Sequence, residues 1–203
     1  MAKRPSDDAA RYLRPYLNAV ELHGGGFPAL LWASPASQAA RFAALANLYD
    51  FTGKSIVDIG CGRADFLDYL LANDMEPNHY VGIEAVEAIA QSAERKQHRS
   101  CTILHADFVR EPRRMFVGAD AAVCCGSLNT LSSEEFYQTL RRAFDAAAET
   151  LVFNFLCSPK LAAAKFLTWH RQEDVRRFLQ SLSSRTNESS DYFDGDCSMI
   201  AWK

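Results

Sequence analysis

Three carboxylates, each placed where an apolar run ends, define the chemistry open to this chain. Asp58 lies in the string Ser55-Ile56-Val57-Asp58-Ile59-Gly60-Cys61-Gly62-Arg63-Ala64-Asp65-Phe66-Leu67. β-Branched residues there run into a Gly-x-Gly turn and then into a helix start, as a central parallel strand does. Gly60 lets the chain turn sharply, and Gly62 lets a ligand approach the backbone with no Cβ in the way. The helix after the turn offers free N–H groups and a partial positive charge. This describes a nucleotide-type ligand site at the carboxyl end of the first strand of a doubly wound sheet. Glu84 ends a second apolar run and Asp107 ends a third. Acids after strands also serve as caps and loop residues, so the reading rests on their joint placement behind the glycine turn.

The next residues narrow the ligand. A dinucleotide fingerprint, G-x-G-x-x-G/A, needs a small residue at position 65, where this chain has Asp65. A pyrophosphate there would meet an added carboxylate, whereas a ligand with a positive centre and an ammonium group would not be repelled. The string Val-Asp-Ile-Gly-Cys-Gly-x-Ala resembles motif I of the class I S-adenosylmethionine-dependent methyltransferases, with Ala64 in place of the usual last glycine.

That resemblance implies a set of contacts. Asp58, Gly60, Cys61 and Gly62 would cradle the methionine part of S-adenosylmethionine, with the helix N-terminus facing its carboxylate. Glu84 would accept both ribose hydroxyls, as a carboxylate can, and Ala85 would flank the sugar. Asp107 would accept from the adenine amino group, with Phe108 beside the ring. Cys125 and Gly126 would line the floor near the sulfonium. From the residues alone, Asp58 is expected to organise the turn by accepting backbone N–H bonds, since a buried carboxylate needs partners.

Methyl transfer from a sulfonium asks the protein to align a nucleophile and exclude water. A general base is needed only if the nucleophile keeps its proton at pH 7. Acceptor-side candidates are Ser127, Asn129, Asn154, Cys157 and Ser158, with Trp32, Gln38 and Arg41 from the N-terminal segment and His23 and His170 from loops. Of these, His170 and Asn129 are the catalytic candidates, and Trp32, Ser127 and Asn154 the substrate-binding ones. The segment from Trp32 to Phe42 looks like the N-terminal part of small bacterial methyltransferases of this class. It implies a lid over the cofactor, in which Arg41 would pair with the cofactor carboxylate. After the fourth strand stands Gly126-Ser127-Leu128-Asn129, where DNA amino-group methylators carry an Asn-Pro-Pro-Tyr type motif, so a small-molecule acceptor with an O, N or S nucleophile is expected. The alternatives are a protein or RNA methyltransferase, an NAD-type oxidoreductase, and a non-catalytic binding protein on the same scaffold.

The elements that would position these residues follow from periodicity. Helices are expected over 8–22, with Pro15 starting or kinking the first, and over 35–49, where Ser34 caps and Pro35 opens the second. Later helices are expected over 64–73, 86–97, 160–167 and 172–182, and one behind the capping box Ser132-x-x-Glu135. Strands are expected over 56–59, 79–84, 101–107, 120–125 and 150–156, then a hairpin of 184–193 and 197–202 around Asp194-Gly195-Asp196. Strand and helix alternate across the first five strands, which predicts a mostly parallel sheet with helices on both faces. The resemblance implies a Rossmann-like, doubly wound α/β sheet of seven strands, the C-terminal hairpin strand antiparallel and inserted beside the fifth. The expected organisation is a single methyltransferase domain over 1–203: a helical lid over 1–50, the cofactor-binding core over 51–157, and C-terminal helices and hairpin over 158–203.

Bulk properties bound the rest. The 203 residues suit one domain with a sizeable core. A formal net charge of -3 gives no general attraction to nucleic acid. No apolar run is long enough to span a bilayer, and the charged N-terminus has no apolar core behind it to make a signal peptide. The six cysteines show no metal-ligand spacing and suit a reducing cytoplasm. A monomer or homodimer with no metal is expected.

Overall fold

The computed structural model describes residues 10–203. Seven strands form one sheet in the order β3-β2-β1-β4-β5-β7-β6. In chain order the strands are β1 Ser55–Ile59, β2 His79–Glu84, β3 Cys101–His105, β4 Ala121–Cys124, β5 Thr150–Leu156, β6 Thr186–Ser189 and β7 Asp196–Trp202. The first five are mutually parallel, while β7 runs antiparallel to both β5 and β6. The chain leaves β1 toward β2 on one side and later returns to β4 on the other. That reversal opens a crevice beyond the carboxyl ends of β1 and β4, where ligands of such sheets bind.

The helices are α1 Arg14–His23, α2 Pro35–Leu48, α3 Asp65–Ala72, α4 Glu87–Glu94, α5 Ser133–Ala146 and α6 Gln172–Leu182. One face of the sheet packs Val57, Ile59, Leu151, Phe153 and Phe155 against Phe136 and Leu140 of α5 and Val175 and Leu179 of α6. The other packs Ile56, Tyr80, Val123, Val152 and Ile200 against Phe42 and Leu45 of α2 and Phe66, Leu67 and Leu70 of α3. The two-sided burial explains why β1, β4 and β5 are nearly continuous apolar runs.

The N-terminal segment lies over the crevice. Ser34 caps α2 in a reciprocal box with Ser37, and Pro35 opens the helix. Helix α1 and the 3₁₀ turn Phe27–Leu30 form a small cluster with Val86 and Ile89 at the start of α4. Helix α1 begins at Arg14 rather than near residue 8, and positions 8 and 9 lie outside the described residues.

The expected helix over 160–167 is absent. Two separate turns stand there, closed by Ala162 N–H to Pro159 O and Leu167 N–H to Ala164 O. The chain must instead return to the sheet, where the His170 N–H donates to the Leu156 carbonyl at 2.9 Å. A run of three alanines supplies propensity, and tertiary geometry overrides it. The hairpin strand β6 is also shorter than expected, because residues 190–195 form the connection.

Candidate functional site

The glycine turn is built from both of its neighbours. The N–H groups of Gly60 and Cys61 both donate to the Ile83 carbonyl of β2, at 2.8 and 3.0 Å. Gly60 has φ +77°, and a Cβ there would stand 2.3 Å from the Ser127 Cβ. Only glycine fits that conformation and that space. Ser127 closes the contact by donating its Oγ–H to the Ile59 carbonyl at 2.6 Å. Ala64, next in the series of small residues, holds φ +55° just before α3, a conformation that glycine would take without strain.

Glu84 braces this turn. Its Oε2 accepts from Gly62 N–H at 3.0 Å and its Oε1 from Val86 N–H at 2.8 Å. The carboxylate is buried, and burial pushes its pKa up while these backbone donors pull it down. The backbone role expected of Asp58 therefore belongs to Glu84. Asp58 Oδ2 instead accepts a short hydrogen bond from the Tyr80 hydroxyl, and its Oδ1 has no partner among the described residues. Burial, at 2% exposure, pushes the Asp58 carboxyl up to about 7.

A cavity opens over the turn. Asp58, Gly60, Cys61, Gly62, Glu84 and Ala85 form its floor on the β1 and β2 side. Phe108 closes one end, and Cys125, Gly126 and Ser127 the β4 side. The N-terminal segment contributes Tyr12, Tyr16, Leu30, Trp32 and Gln38. A second cavity shares Tyr16, Leu30, Trp32, Gly126 and Thr130 with the first and continues along Leu161, Phe166 and Phe193. Gly126, at φ +75°, would place a Cβ 2.6 Å from the Trp32 ring, so the indole lies directly on the backbone where the cavities meet.

Four expectations about individual side chains are corrected. Arg41 does not face the glycine-turn cavity. Its Nε and Nη2 pair with Asp196 Oδ2 on β7 at 2.6 and 2.5 Å, and its guanidinium stacks on Trp32 and Phe193. His170 lines neither cavity. It is buried, its ring stacks on Phe136 with centroids 3.9 Å apart, and burial pushes its pKa down, so it is a neutral packing ring. Asn154 is fully buried and spends its amide on structure, accepting from Gly126 N–H at 2.7 Å and donating to Asp196 at 3.3 Å. Asp107 is not among the residues that line the first cavity, and both its carboxylate oxygens accept from the Tyr12 hydroxyl, at 3.0 and 2.8 Å.

Asn129 lies in the wall of the second cavity, with its Oδ1 accepting from Leu156 N–H at 3.3 Å. Sequence reasoning missed Tyr12 and Thr130. Tyr12 stands four residues before Tyr16, and that aromatic pair on one helical face was its only signal. Asp65 is occupied at the head of α3 by Lys96 and Gln38, at 2.6 and 3.3 Å.

The unpartnered Asp58 oxygen, the two carboxylates in one cavity and the glycine turn fit a ligand that brings an ammonium and a diol. A pyrophosphate would find no cation among the residues that line it. The fold is that of the class I S-adenosylmethionine-dependent methyltransferases. No family model and no curated protein sequence matches the chain. Among solved structures, the chain is similar to the magnesium protoporphyrin IX methyltransferase of Synechocystis PCC 6803 with bound S-adenosylmethionine. The TM-score is 0.64 at 16% identity, over 100% of this chain and 99% of that one. It is similar to DhpI in complex with S-adenosylhomocysteine at TM-score 0.66 and 13% identity, over 94% and 93%. The small RNA methyltransferase HEN1 superposes at TM-score 0.63 and 14% identity, over 83% of this chain but 25% of that one. No helix among the described residues is long and apolar enough to cross a membrane.

Proposed function

We propose that this chain is an S-adenosylmethionine-dependent methyltransferase acting on a small molecule through an O, N or S nucleophile. The observation that carries the reading is the unpartnered, buried Asp58 oxygen at the floor of a cavity that the Glu84-braced glycine turn also lines. Asp58 and the 60–62 turn would hold the amino-acid end of the methyl donor, and Glu84 its ribose hydroxyls. Phe108 would lie against its base, and Cys125 and Gly126 near its sulfonium. The donor supplies an activated methyl group. The residues of this chain orient the two reactants and keep water out, with Trp32 at the junction of the two cavities.

The whole chain, 1–203, is read as one domain, with 1–50 as lid, 51–157 as cofactor core and 158–203 completing the acceptor side. An acceptor cavity walled by lid residues favours a small molecule over a polymer, and the net charge of -3 favours it over RNA. Ultraviolet crosslinking of methyl-labelled S-adenosylmethionine, followed by peptide mass spectrometry, tests the assignment. Label is expected in peptides from the 58–62, 84–86 and 107–108 segments. Label confined elsewhere would contradict the reading.

A further inference from the structure

The second cavity has a wall chemistry that narrows the acceptor. Leu31, Leu156, Leu161, Phe166, Leu167 and Phe193 make it apolar. Among the described residues that line it there is no Asp, Glu, His, Lys or Cys. Its one charged group is Arg41, and that charge is spent on Asp196. Asp196 is fully buried behind it and also accepts from Tyr192 at 2.5 Å and Asn154 at 3.3 Å. The cavity therefore has neither a free cation to hold an anionic tail nor a free anion to balance a cationic product.

Among the described residues, no titratable group that lines the second cavity supplies a base. Tyr16 lines both cavities, but its hydroxyl is paired with Thr130 and is pushed up to about 12 by burial. Tyr12 donates to Asp107. Cys61 and Cys125 face the first cavity with thiols pushed up by burial. Glu84 is committed to two backbone N–H groups, and Asp58 lies on β1 at the floor of the first cavity. Asn129 offers its amide N–H₂, for which the structure shows no partner among the described residues, as a neutral donor to an acceptor.

Resting on the methyltransferase reading, we propose that the acceptor is a compact apolar thiol that reacts as its own thiolate, with none of the described residues of the second cavity acting as general base. The thiolate lone pair forms the new S–CH₃ bond as the donor's S–CH₃ bond breaks, and that electron pair stays on the donor sulfur. One anion and one sulfonium become two neutral thioethers, and no proton moves. Charge annihilation of this kind is favoured in an apolar, water-poor cavity. A neutral amine would leave a cation facing no free carboxylate among the described walls of the second cavity, and an alcohol or phenol would need a base that those walls do not supply.

The test uses four molecules of one shape, thiophenol, phenol, aniline and benzoate, with full-length protein. Calorimetric binding of S-adenosylhomocysteine comes first, because its failure would remove the methyltransferase reading rather than the acceptor class. Binding of each molecule to the S-adenosylhomocysteine-loaded protein is then measured, followed by methyl transfer corrected for the uncatalysed rate. Thiophenol is expected to bind and to be methylated about 100-fold faster than phenol at pH 7, the scale of a missing general base. The pH midpoint of kcat/KM is expected to move with the thiol's own pKa across ring-substituted thiophenols. Equal rates for phenol and thiophenol, a midpoint that stays fixed across the series, preferred binding of benzoate, or no thiol turnover by protein that binds S-adenosylhomocysteine would each overturn the proposal.

Discussion

Replacing Asp58 by Asn changes the stability of this protein in a pH-dependent way whose size the structure sets. The Asp58 carboxyl is pushed from its ordinary 3.8 up to about 7, chiefly by burial and secondarily by Glu84. The folded state thus holds the proton more tightly than the unfolded chain does. Its cost is nearly absent below pH 3.8, grows as pH rises through the window to 7, and levels off above it. Full ionisation in the folded state costs on the order of 4 kcal/mol. Asparagine keeps an acceptor for the Tyr80 hydroxyl and has no charge to bury. Urea unfolding of the ligand-free protein at pH 5 and pH 8 separates this effect from every other titration, because the other groups are common to both variants. The stability difference in favour of Asp58→Asn is expected to grow by about 2–3 kcal/mol between those conditions. A difference that stays constant across that interval would refute the argument. The same variant is expected to bind S-adenosylhomocysteine more weakly, since the proposed site pairs this carboxylate with the ligand's ammonium.

Three further outcomes follow from contacts elsewhere. Arg41→Met leaves Asp196 buried without its cation and is expected to cost about 3–5 kcal/mol in urea unfolding, while Arg41→Met with Asp196→Leu recovers most of it. A double variant as unstable as the single one would contradict the pairing. Gly126→Ala puts a methyl group 2.6 Å from the Trp32 ring at φ +75°. It is expected to lose about 1–3 kcal/mol and to shift the tryptophan emission, and unchanged emission would show that the indole does not rest there. Ser34→Ala removes the cap of α2 and is expected to cost about 0.5–2 kcal/mol, measured in the same way.

Much of this fold was legible because local pattern and global packing agree. β2, β5 and α6 fall where periodicity put them, and the Ser34 and Ser132 caps open the helices they announce. The glycine turn and Glu84 were legible because a parallel strand, a tight turn and a helix start each leave a local signature. The side chains that were misassigned depend on contacts between distant parts of the chain. Arg41 finds Asp196, 155 residues away, only because β7 inserts beside β5 under α2. His170 looked like a loop base, but the crossing that replaces the expected helix over 160–167 carries it against Phe136. Asp58 looked like the brace of its own turn, whereas Tyr80 on the adjacent strand takes it and frees that task for Glu84. Strand register decides this, and a single stretch of sequence does not contain it.

In the proposed reading, the cavity over the glycine turn holds S-adenosylmethionine. The decisive experiment is calorimetric titration of the purified protein with S-adenosylhomocysteine, with NAD as the control. Saturable one-to-one binding of S-adenosylhomocysteine is expected, with none of NAD and severe loss of affinity in Glu84→Ala. Binding of NAD alone, or affinity for S-adenosylhomocysteine unchanged by Glu84→Ala, would contradict it.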